Sequence, residues 1–210
     1  MDAPCLFEPA PGASGELEFL SGDVIYKPGF LNAPEATQLF KTLLATIDWR
    51  QESMQMYGRA IPLPRETAWY GQGRYTYSKI ANPPQPWTPE LALLRDRISA
   101  AYSANFNSVL LNRYRSGSDS VSWHADDEPE LGNRPVIASV SLGEERKFQI
   151  RSNNEPKDRI DLVLGHGSLL IMRGLSQRDY KHQIPKVSEV RRTLADRINL
   201  TYRLIGTASA

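Results

Sequence analysis

The stretch from Asn112 to Glu128 reads Asn-Arg-Tyr-Arg-Ser-Gly-Ser-Asp-Ser-Val-Ser-Trp-His-Ala-Asp-Asp-Glu, and the rest of the sequence is best interpreted from it. Near its end, His124 and Asp126 are two residues apart, so on an extended segment both side chains project from the same side. An imidazole nitrogen and a carboxylate oxygen can then bind one metal ion. A single His-x-Asp pair is weak evidence, because solvated loops often contain it by chance.

A third metal ligand has few possible sources, because the chain has only three histidines: His124, His166 and His182. His166 lies between two glycines, which is typical of a turn, and we predict a structural role for it. His182 lies 58 positions beyond His124, and two strands of a jelly roll can bring such positions together. Two histidines and one carboxylate around an open face suit non-haem Fe(II) oxygenases. We therefore predict His124, Asp126 and His182 as metal ligands and catalytic residues.

Length and composition favour one domain, since 210 residues are enough to bury a sizeable core. The chain has 25 basic and 24 acidic residues, so any basic surface for nucleic acid must be local. The single cysteine, Cys5, excludes an intramolecular disulfide and a multi-cysteine zinc site. The sequence has no run of membrane-span length and no signal peptide pattern, so we expect a cytoplasmic protein.

The order of predicted elements indicates the fold. Residues 1–22 are rich in proline and glycine and are predicted to be a loosely ordered arm. Amphipathic helices are predicted to begin at Asn32-Ala33-Pro34-Glu35 and at Thr88-Pro89-Glu90. Short strands then follow one another to the end of the chain. This order predicts an α+β protein of residues 23–205, with a jelly-roll (double-stranded β-helix) core at about 109–205 and the helices packed outside.

The segment from about 49 to 80 has no helical period and mixes arginines, aromatics and prolines. An aperiodic segment of this length is typical of a functional loop or lid. Aromatics beside basic residues also suit stacking on bases next to phosphates. An irregular hairpin packed on the core explains the segment equally well.

The segment 197–203, Arg-Ile-Asn-Leu-Thr-Tyr-Arg, is a strand with one polar face made of Arg197, Asn199, Thr201 and Arg203. Burying two arginines is costly unless they have anionic partners, and a small dicarboxylate pairs well with guanidinium groups. A solvent-exposed polar face would explain this strand if it stood alone, but the nearby metal ligands favour the dicarboxylate site. Asn112 and Tyr114, two apart on another strand, can add hydrogen bonds to the same ligand.

These motifs together resemble the AlkB family of Fe(II)/2-oxoglutarate dioxygenases, over roughly residues 62 to 205. The resemblance rests on Asn112-x-Tyr114, Gly117-x-Asp119, Trp123-His124-x-Asp126-Asp127-Glu128, His182-x-Ile184-Pro185 and Arg197-x-Asn199-x-Thr201-x-Arg203. Within the family the chain is most similar to the homologues acting on double-stranded DNA, through Pro64-Arg65, Tyr70-Gly71, Tyr75-Thr76-Tyr77-Ser78 and the segment 137–143. It differs from those relatives at Lys79, where they usually carry glycine.

The resemblance implies oxidative demethylation of N-alkylated nucleobases of the 1-methyladenine and 3-methylcytosine type. DNA is favoured over RNA, and the reaction releases formaldehyde, succinate and CO2. It implies Fe(II), O2 and 2-oxoglutarate, with Arg197 and Tyr114 on the distal carboxylate and Arg203 and Asn112 near the chelating end. The 49–80 segment would be a nucleotide-recognition lid. The candidate substrate-binding residues are Trp69, Tyr75, Tyr77, Ser78, Asp127 and Glu128.

An apolar cluster of Met54, Met56 and Tyr57 lies within the 49–80 segment, between Arg50 and Arg59. Apolar side chains that enter a base stack act as wedges in many proteins that distort DNA, and methionine is flexible enough to do so. The cluster is therefore either a wedge that opens a duplex or ordinary packing under the lid.

Two other functions compete with nucleobase demethylation. A 2-oxoglutarate-dependent hydroxylase of a protein side chain or small molecule would share the metal ligands and arginines, but it would not need the 49–80 segment or Asp127 and Glu128. A non-catalytic module is hard to reconcile with an intact set of ligands. We expect a monomer that binds alkylated nucleic acid and no membrane.

Overall fold

The computed structural model describes residues 15–56, 59–72, 76–77, 80–81, 84–188 and 194–206. The helices are α1 (Ala33–Thr46) and α2 (Pro89–Tyr102). The strands before α2 are β1 (Leu17–Phe19), β2 (Val24–Lys27), β3 (Ser53–Met56), β4 (Arg59–Pro62), β5 (Glu66–Gly71), β6 (Thr76–Tyr77) and β7 (Ile80–Ala81). Those after α2 are β8 (Ser108–Tyr114), β9 (Val121–His124), β10 (Ile137–Gly143), β11 (Arg146–Ser152), β12 (Arg159–Leu164), β13 (Ser168–Met172), β14 (Tyr180–Ile184) and β15 (Arg197–Arg203).

Two antiparallel sheets form the body of the protein. The major sheet has the strand order β1-β2-β13-β10-β15-β8-β5, and the minor sheet has the order β12-β11-β14-β9. One core contains side chains of both sheets, among them Tyr114, Phe148, Leu164 and Leu170. A second core joins α1 and α2 to the major sheet through residues such as Leu43 and Leu91. The predicted jelly roll with helices packed outside is confirmed.

Both helices begin where the sequence predicts. Asn32 caps α1 because its Oδ1 accepts from the Glu35 amide at 3.0 Å, while Glu35 Oε2 accepts from the Asn32 amide at 3.1 Å. Such caps contribute about 1 kcal/mol each. Thr88 caps α2 in the same way, with its Oγ1 accepting from the Leu91 amide at 3.4 Å. The reciprocal cap stabilises the first turn of α1.

The structure corrects two predicted boundaries. The arm predicted for residues 1–22 is too long, because Leu17 and Phe19 pack on the core between the sheets and β1 pairs with β2. The 49–80 segment is not a lid throughout, because β5 pairs with β8 as the edge of the major sheet and buries Ala68 and Tyr70. Apolar alternation in these short segments outweighs their neighbouring prolines and glycines.

Candidate metal and cosubstrate site

The minor sheet brings the two predicted histidine ligands together. His124 ends β9, and it is the direct cross-strand partner of His182 on β14. The register shifts between this pair and the next pair, Val121 and Ile184. Asp126 follows β9 by two residues, and the ligand atoms of the three side chains all lie within 4.8 Å of one another. Their arrangement therefore suits one metal ion.

Hydrogen bonding orients one histidine, and burial sets the charge of the other. His124 Nδ1 lies 2.8 Å from the Ser122 carbonyl oxygen. Because a carbonyl oxygen only accepts, Nδ1 donates this hydrogen bond, and Nε2 is the ring nitrogen left to face a metal ion. His182 stacks against Phe148, with the ring centres 5.3 Å apart. Burial lowers the pKa of His182 to about 3, so its ring is neutral at physiological pH.

Asp126 supplies the anionic ligand from a buried position. Its Oδ2 accepts from Arg203 at 2.7 Å (Nη2) and 3.2 Å (Nε). Its Oδ1 is buried and has no hydrogen-bond partner among the described residues. Burial alone would raise the pKa of Asp126, but the charge and hydrogen bond of Arg203 together with the electrostatic effect of the two histidines outweigh burial, and the pKa is lowered to about 2. An orphaned carboxylate oxygen beside two imidazole nitrogens fits an Fe(II) centre.

The other end of the same cavity contains Arg197. Its Nη2 donates to Ser141 Oγ at 2.9 Å, whereas its Nε and Nη1 are buried without a described hydrogen-bond partner. Its guanidinium carbon lies 5.0 Å from the centre of the Tyr114 ring. Burial lowers the pKa of Arg197 to about 10, which leaves it charged at neutral pH. Arg197 and Tyr114 are thus together, as predicted, and donors remain for a carboxylate.

Arg203 and Asn112 are predicted near the chelating end of 2-oxoglutarate, and this role stays a prediction, but each side chain already has a partner within the protein. Arg203 binds Asp126, and Asn112 Oδ1 accepts from Arg65 Nε at 2.8 Å. The physical reason is that a buried carboxylate requires a nearby cation. Arg203 and Asn112 nevertheless line the same cavity.

Asn199 and Thr201 face the cavity from β15, as the alternation predicts. Thr201 Oγ1 donates to Asn199 Oδ1 at 2.9 Å, and Asn199 Nδ2 donates to Ser139 Oγ at 2.7 Å. Their side chains therefore bond within the protein while forming part of the cavity wall, and their predicted contact with 2-oxoglutarate stays a prediction. The full lining is Arg65, Leu110, Asn112, Tyr114, Val121, His124, Asp126, Ser139, Phe148, Leu164, Met172, His182, Gln183, Ile184, Arg197, Asn199, Thr201 and Arg203.

The predicted substrate-binding residues lie in different surroundings. Asp127 is exposed beside the metal ligands, and Glu128 is partly buried, with Oε2 lacking a hydrogen-bond partner among described residues. Trp69 packs against Leu131 and Ile205 and does not line the cavity. The backbone of Tyr77 belongs to β6. Tyr75 and Ser78 lie outside the described residues, as do Tyr57 and Lys79.

His166 has the structural role that its glycine neighbours predict. Its Nδ1 accepts from the Gly143 amide at 2.9 Å, and its Nε2 lies 3.1 Å from Thr37 Oγ1. It therefore ties β10 to α1.

Two residues of the site were not predicted from the sequence as site residues. Gln177 is 3% exposed, and its Oε1 accepts from the Asp126 amide at 2.9 Å. Arg65 is 4% exposed and lines the cavity beside Asn112. Arg65 belongs to a motif of the family resemblance, which was its only signal. Nothing in the sequence pattern around Gln177 indicates its hydrogen bond to the ligand segment.

Comparisons with known proteins agree with this geometry. The profile of the 2OG-Fe(II) oxygenase superfamily matches residues 23–203. Alpha-ketoglutarate-dependent dioxygenase alkB homolog 3 of Bos taurus is 42% identical over 187 residues, covering 85% of this chain and 64% of the relative's length. DNA oxidative demethylase ALKBH2 of Mus musculus is 37% identical over 222 residues, covering 94% of this chain and 90% of the relative. The chain thus spans less than two thirds of the first relative and most of the second.

The fold also has a solved counterpart. The structure of OsALKBH1 superimposes with a TM-score of 0.64 at 18% identity, covering 89% of this chain and all of that one. Sequence identity this low supports the shared fold alone. Neither of the two relatives' names states whether the DNA is single- or double-stranded, so that part of the resemblance stays a prediction. The superfamily profile and the two relatives show that this chain belongs to the AlkB family of the 2OG-Fe(II) oxygenases, which use Fe(II), 2-oxoglutarate and O2.

Proposed function

We propose that this protein is a dioxygenase that oxidatively demethylates N-alkylated bases in DNA, of the 1-methyladenine and 3-methylcytosine type. One observation carries the proposal: the cavity combines three converging ligand atoms with a buried arginine that keeps free donors. Bound iron, with 2-oxoglutarate and O2, supplies the oxidation that releases the methyl carbon as formaldehyde and yields succinate and CO2. The relatives named above support this chemistry.

The residues of this chain position the reactants. His124, Asp126 and His182 would hold the iron, and the unpartnered Asp126 Oδ1 would serve as the oxygen ligand. Arg197 and Tyr114 would hold the distal carboxylate of 2-oxoglutarate. Asp127 and Glu128 follow the ligands directly and would accept hydrogen bonds from exocyclic groups of a base turned out of its stack.

A basic row on the outer face of the minor sheet supports a nucleic-acid substrate. Arg151 on β11 is the direct cross-strand neighbour of Arg159 on β12 and Lys181 on β14. Like charges that face each other across strands repel, so such a row favours an anionic partner. Phosphates supply that partner, since basic side chains bind the backbone of nucleic acids.

The surroundings of the basic row fit the same partner. The Arg151 guanidinium carbon lies 4.2 Å from the centre of the Trp123 ring, and Trp123 precedes the ligand His124. Arg159 pairs with Asp161 at 2.8 Å, whereas Arg151 and Lys181 make no ion pair within the part of the chain that the structure describes. A phosphate backbone that crosses Arg151 and Lys181 would pass close to the metal ligands.

Duplex opening would fall to the hairpin of β3 and β4. Met54 lies on β3 opposite Ile61 of β4, and Ile61 is 41% exposed. Met56 ends β3, and Tyr57 follows it in the sequence. A wedge formed by these two residues predicts that Met56→Ala with Tyr57→Ala lowers activity on methylated duplex and nearly retains it on single strands. Equal losses on both, together with a lower Tm, would mean that these side chains are ordinary packing.

Mass spectrometry of methylated oligonucleotides tests the reaction directly. Single-stranded and duplex DNA and RNA containing 1-methyladenine or 3-methylcytosine are incubated with Fe(II), 2-oxoglutarate and ascorbate. We expect loss of one methyl group per base, with stoichiometric formaldehyde and succinate, and more turnover on DNA than on RNA. Succinate formation without demethylation of any oligonucleotide would favour the alternative, a hydroxylase of a protein side chain or small molecule.

The assembly and location proposed for the protein are a monomer in the cytoplasm. Neither helix of the described chain is long and apolar enough to cross a membrane. Size-exclusion chromatography with light scattering tests the monomer, which has a mass of 23.6 kDa.

A further inference from the structure

Arg146 at the start of β11 is a charged residue buried within the fold, at 2% exposure. Its Nη2 donates to the carbonyl oxygens of Asp119 and Pro185, each at 2.8 Å, and its Nη1 donates to that of Ser116 at 3.2 Å. Burying a guanidinium is costly unless its donors are used and its charge is useful. Three backbone carbonyls accept from its two terminal nitrogens, Nε has no hydrogen-bond partner among the described residues, and the nearby charges of Asp119 and Glu144 offset only part of the cost of burial.

The carbonyls that bind Arg146 belong to two loops at the site. Ser116 and Asp119 lie between β8, which carries Tyr114, and β9, which carries His124. Pro185 follows β14, which carries His182. One guanidinium therefore joins the segments that bear both histidine ligands and the tyrosine of the cosubstrate end.

Tyr114 connects Arg146 to Arg197. The guanidinium carbons of the two arginines lie 5.6 Å and 5.0 Å from the centre of the Tyr114 ring. Among the described residues neither arginine donates a hydrogen bond to a carboxylate; the Asp119 carboxylate, whose charge acts on Arg146 from nearby, accepts from Arg115 at 2.8 Å. Two buried cations near one ring repel each other, and an anion bound in the cavity beside Arg197 would offset that repulsion.

We propose that Arg146 is a positioning residue for the distal carboxylate of 2-oxoglutarate. It holds the Tyr114 ring beside Arg197 and adds its positive charge to the potential that the carboxylate meets. The inference rests on the proposed function, since it assumes that 2-oxoglutarate occupies this cavity. A residue that only fastened the two loops together would not distinguish ligands by their distal charge.

The test compares two ligands that differ only at the distal end. Calorimetric titration of the Mn(II)-loaded protein measures the Kd of 2-oxoglutarate and of 2-oxopentanoate, which has a methyl group in place of the distal carboxylate. In Arg146→Met we expect the preference for 2-oxoglutarate over 2-oxopentanoate to fall about tenfold, because a buried charge near the carboxylate is lost. The Kd of 2-oxopentanoate should stay within about twofold of the wild type.

Further variants separate charge from folding. Arg146→Gln removes the charge and keeps a donor for one carbonyl, so it should lose the preference even if Arg146→Met does not fold. Arg146→Lys keeps the charge and should retain most of the preference. Arg97→Met is the matched control, because Arg97 also donates to a carbonyl (Phe30, 2.8 Å) and lies 4.9 Å from the Phe30 ring centre, away from the cavity.

The outcomes distinguish this inference from the proposed function. The role of Arg146 is overturned if Arg146→Gln keeps the wild-type preference for 2-oxoglutarate over 2-oxopentanoate. It is also overturned if Arg97→Met lowers that preference as much as the Arg146 variants do. If the wild type does not prefer 2-oxoglutarate to 2-oxopentanoate, the cosubstrate assignment itself is wrong.

Discussion

Buried charge is compensated differently at the two ends of the cavity, which are the metal end at Asp126 and the cosubstrate end at Arg197. At the metal end, Asp126 and Arg203 neutralise each other at 2.7 Å before any ligand arrives. At the cosubstrate end, Arg197 donates to a serine hydroxyl and keeps two donor atoms without a described partner. Burying a charge without a counter-ion costs free energy, so the unpaired guanidinium of Arg197 indicates a site for an anionic ligand. The fold alone supplies a counter-charge at the metal end, whereas at the cosubstrate end we expect a bound anion to supply it.

The largest expected effect distinguishes two ligands of the metal end. His124→Ala and Asp126→Ala should both abolish turnover, measured as formaldehyde release, because each removes a metal ligand. Only Asp126→Ala should also lower the free energy of unfolding, by about 3–5 kcal/mol, since it leaves Arg203 as an uncompensated buried charge. Urea denaturation of the metal-free proteins measures this difference. Turnover in His124→Ala, or wild-type stability in Asp126→Ala, would contradict the description of this end.

The second largest effect is expected from replacing Arg197 at the cosubstrate end. Arg197→Met should weaken 2-oxoglutarate binding about a hundredfold, because charge-assisted hydrogen bonds to a buried carboxylate are lost. The metal-free variant should be as stable as the wild type or more stable, since a buried cation without a carboxylate partner is replaced by an apolar chain. Calorimetry and urea denaturation measure the two quantities. Ser141→Ala is the control, because it removes the hydroxyl partner and keeps the charge.

A smaller effect is expected on the outer face of the minor sheet, where Arg151 and Lys181 also make no ion pair within the described chain. It tests whether these two cations, like Arg197, bind an anionic partner. Replacing both with glutamine should weaken DNA binding and reduce the slope of log Kd against log salt by about one per lost phosphate contact. Fluorescence anisotropy at several salt concentrations measures this slope. Lys41→Gln, an exposed change on α1, is the matched control. If the double variant and the Lys41→Gln control give the same slope, the basic row does not contact DNA.

The smallest effect concerns His166, which belongs to neither end. Burial lowers the pKa of His166 below its usual 6.5, so as pH falls the unfolded chain takes up a proton before the folded one does. The contribution of His166 to stability is therefore present above about pH 6.5 and is lost progressively below it. His166→Asn should cost about 1–2 kcal/mol at pH 8 through its two hydrogen bonds, and less at pH 5.5. A cost that does not change with pH, measured by urea denaturation, would contradict this prediction.

Local sequence patterns predicted much of this architecture. Alternation along 197–203 correctly assigned both faces of β15, and the spacing of His124 and Asp126 placed two ligands together. The capping residues Asn32 and Thr88 correctly marked where the helices begin. These features depend on neighbours within a few positions, so a single sequence contains the information needed to find them.

Pairings between distant positions could not be predicted in the same way. The partner of Arg203 is Asp126, 77 positions away, and the partner of Asn112 is Arg65, 47 positions away. Such contacts depend on strand register and on the need of buried charged groups for a counter-charge. A local sequence pattern contains neither kind of information.

The direct pairing of His124 with His182 across β9 and β14 has a consequence for the order of folding. The two positions are 58 residues apart, and the segment between them supplies four strands, β10 to β13. Contacts of such long range form late, after the loops between them have closed. We therefore expect the metal site to form only when the jelly roll is nearly complete. The moment at which a refolding chain first captures Mn(II) would mark the closure of the minor sheet.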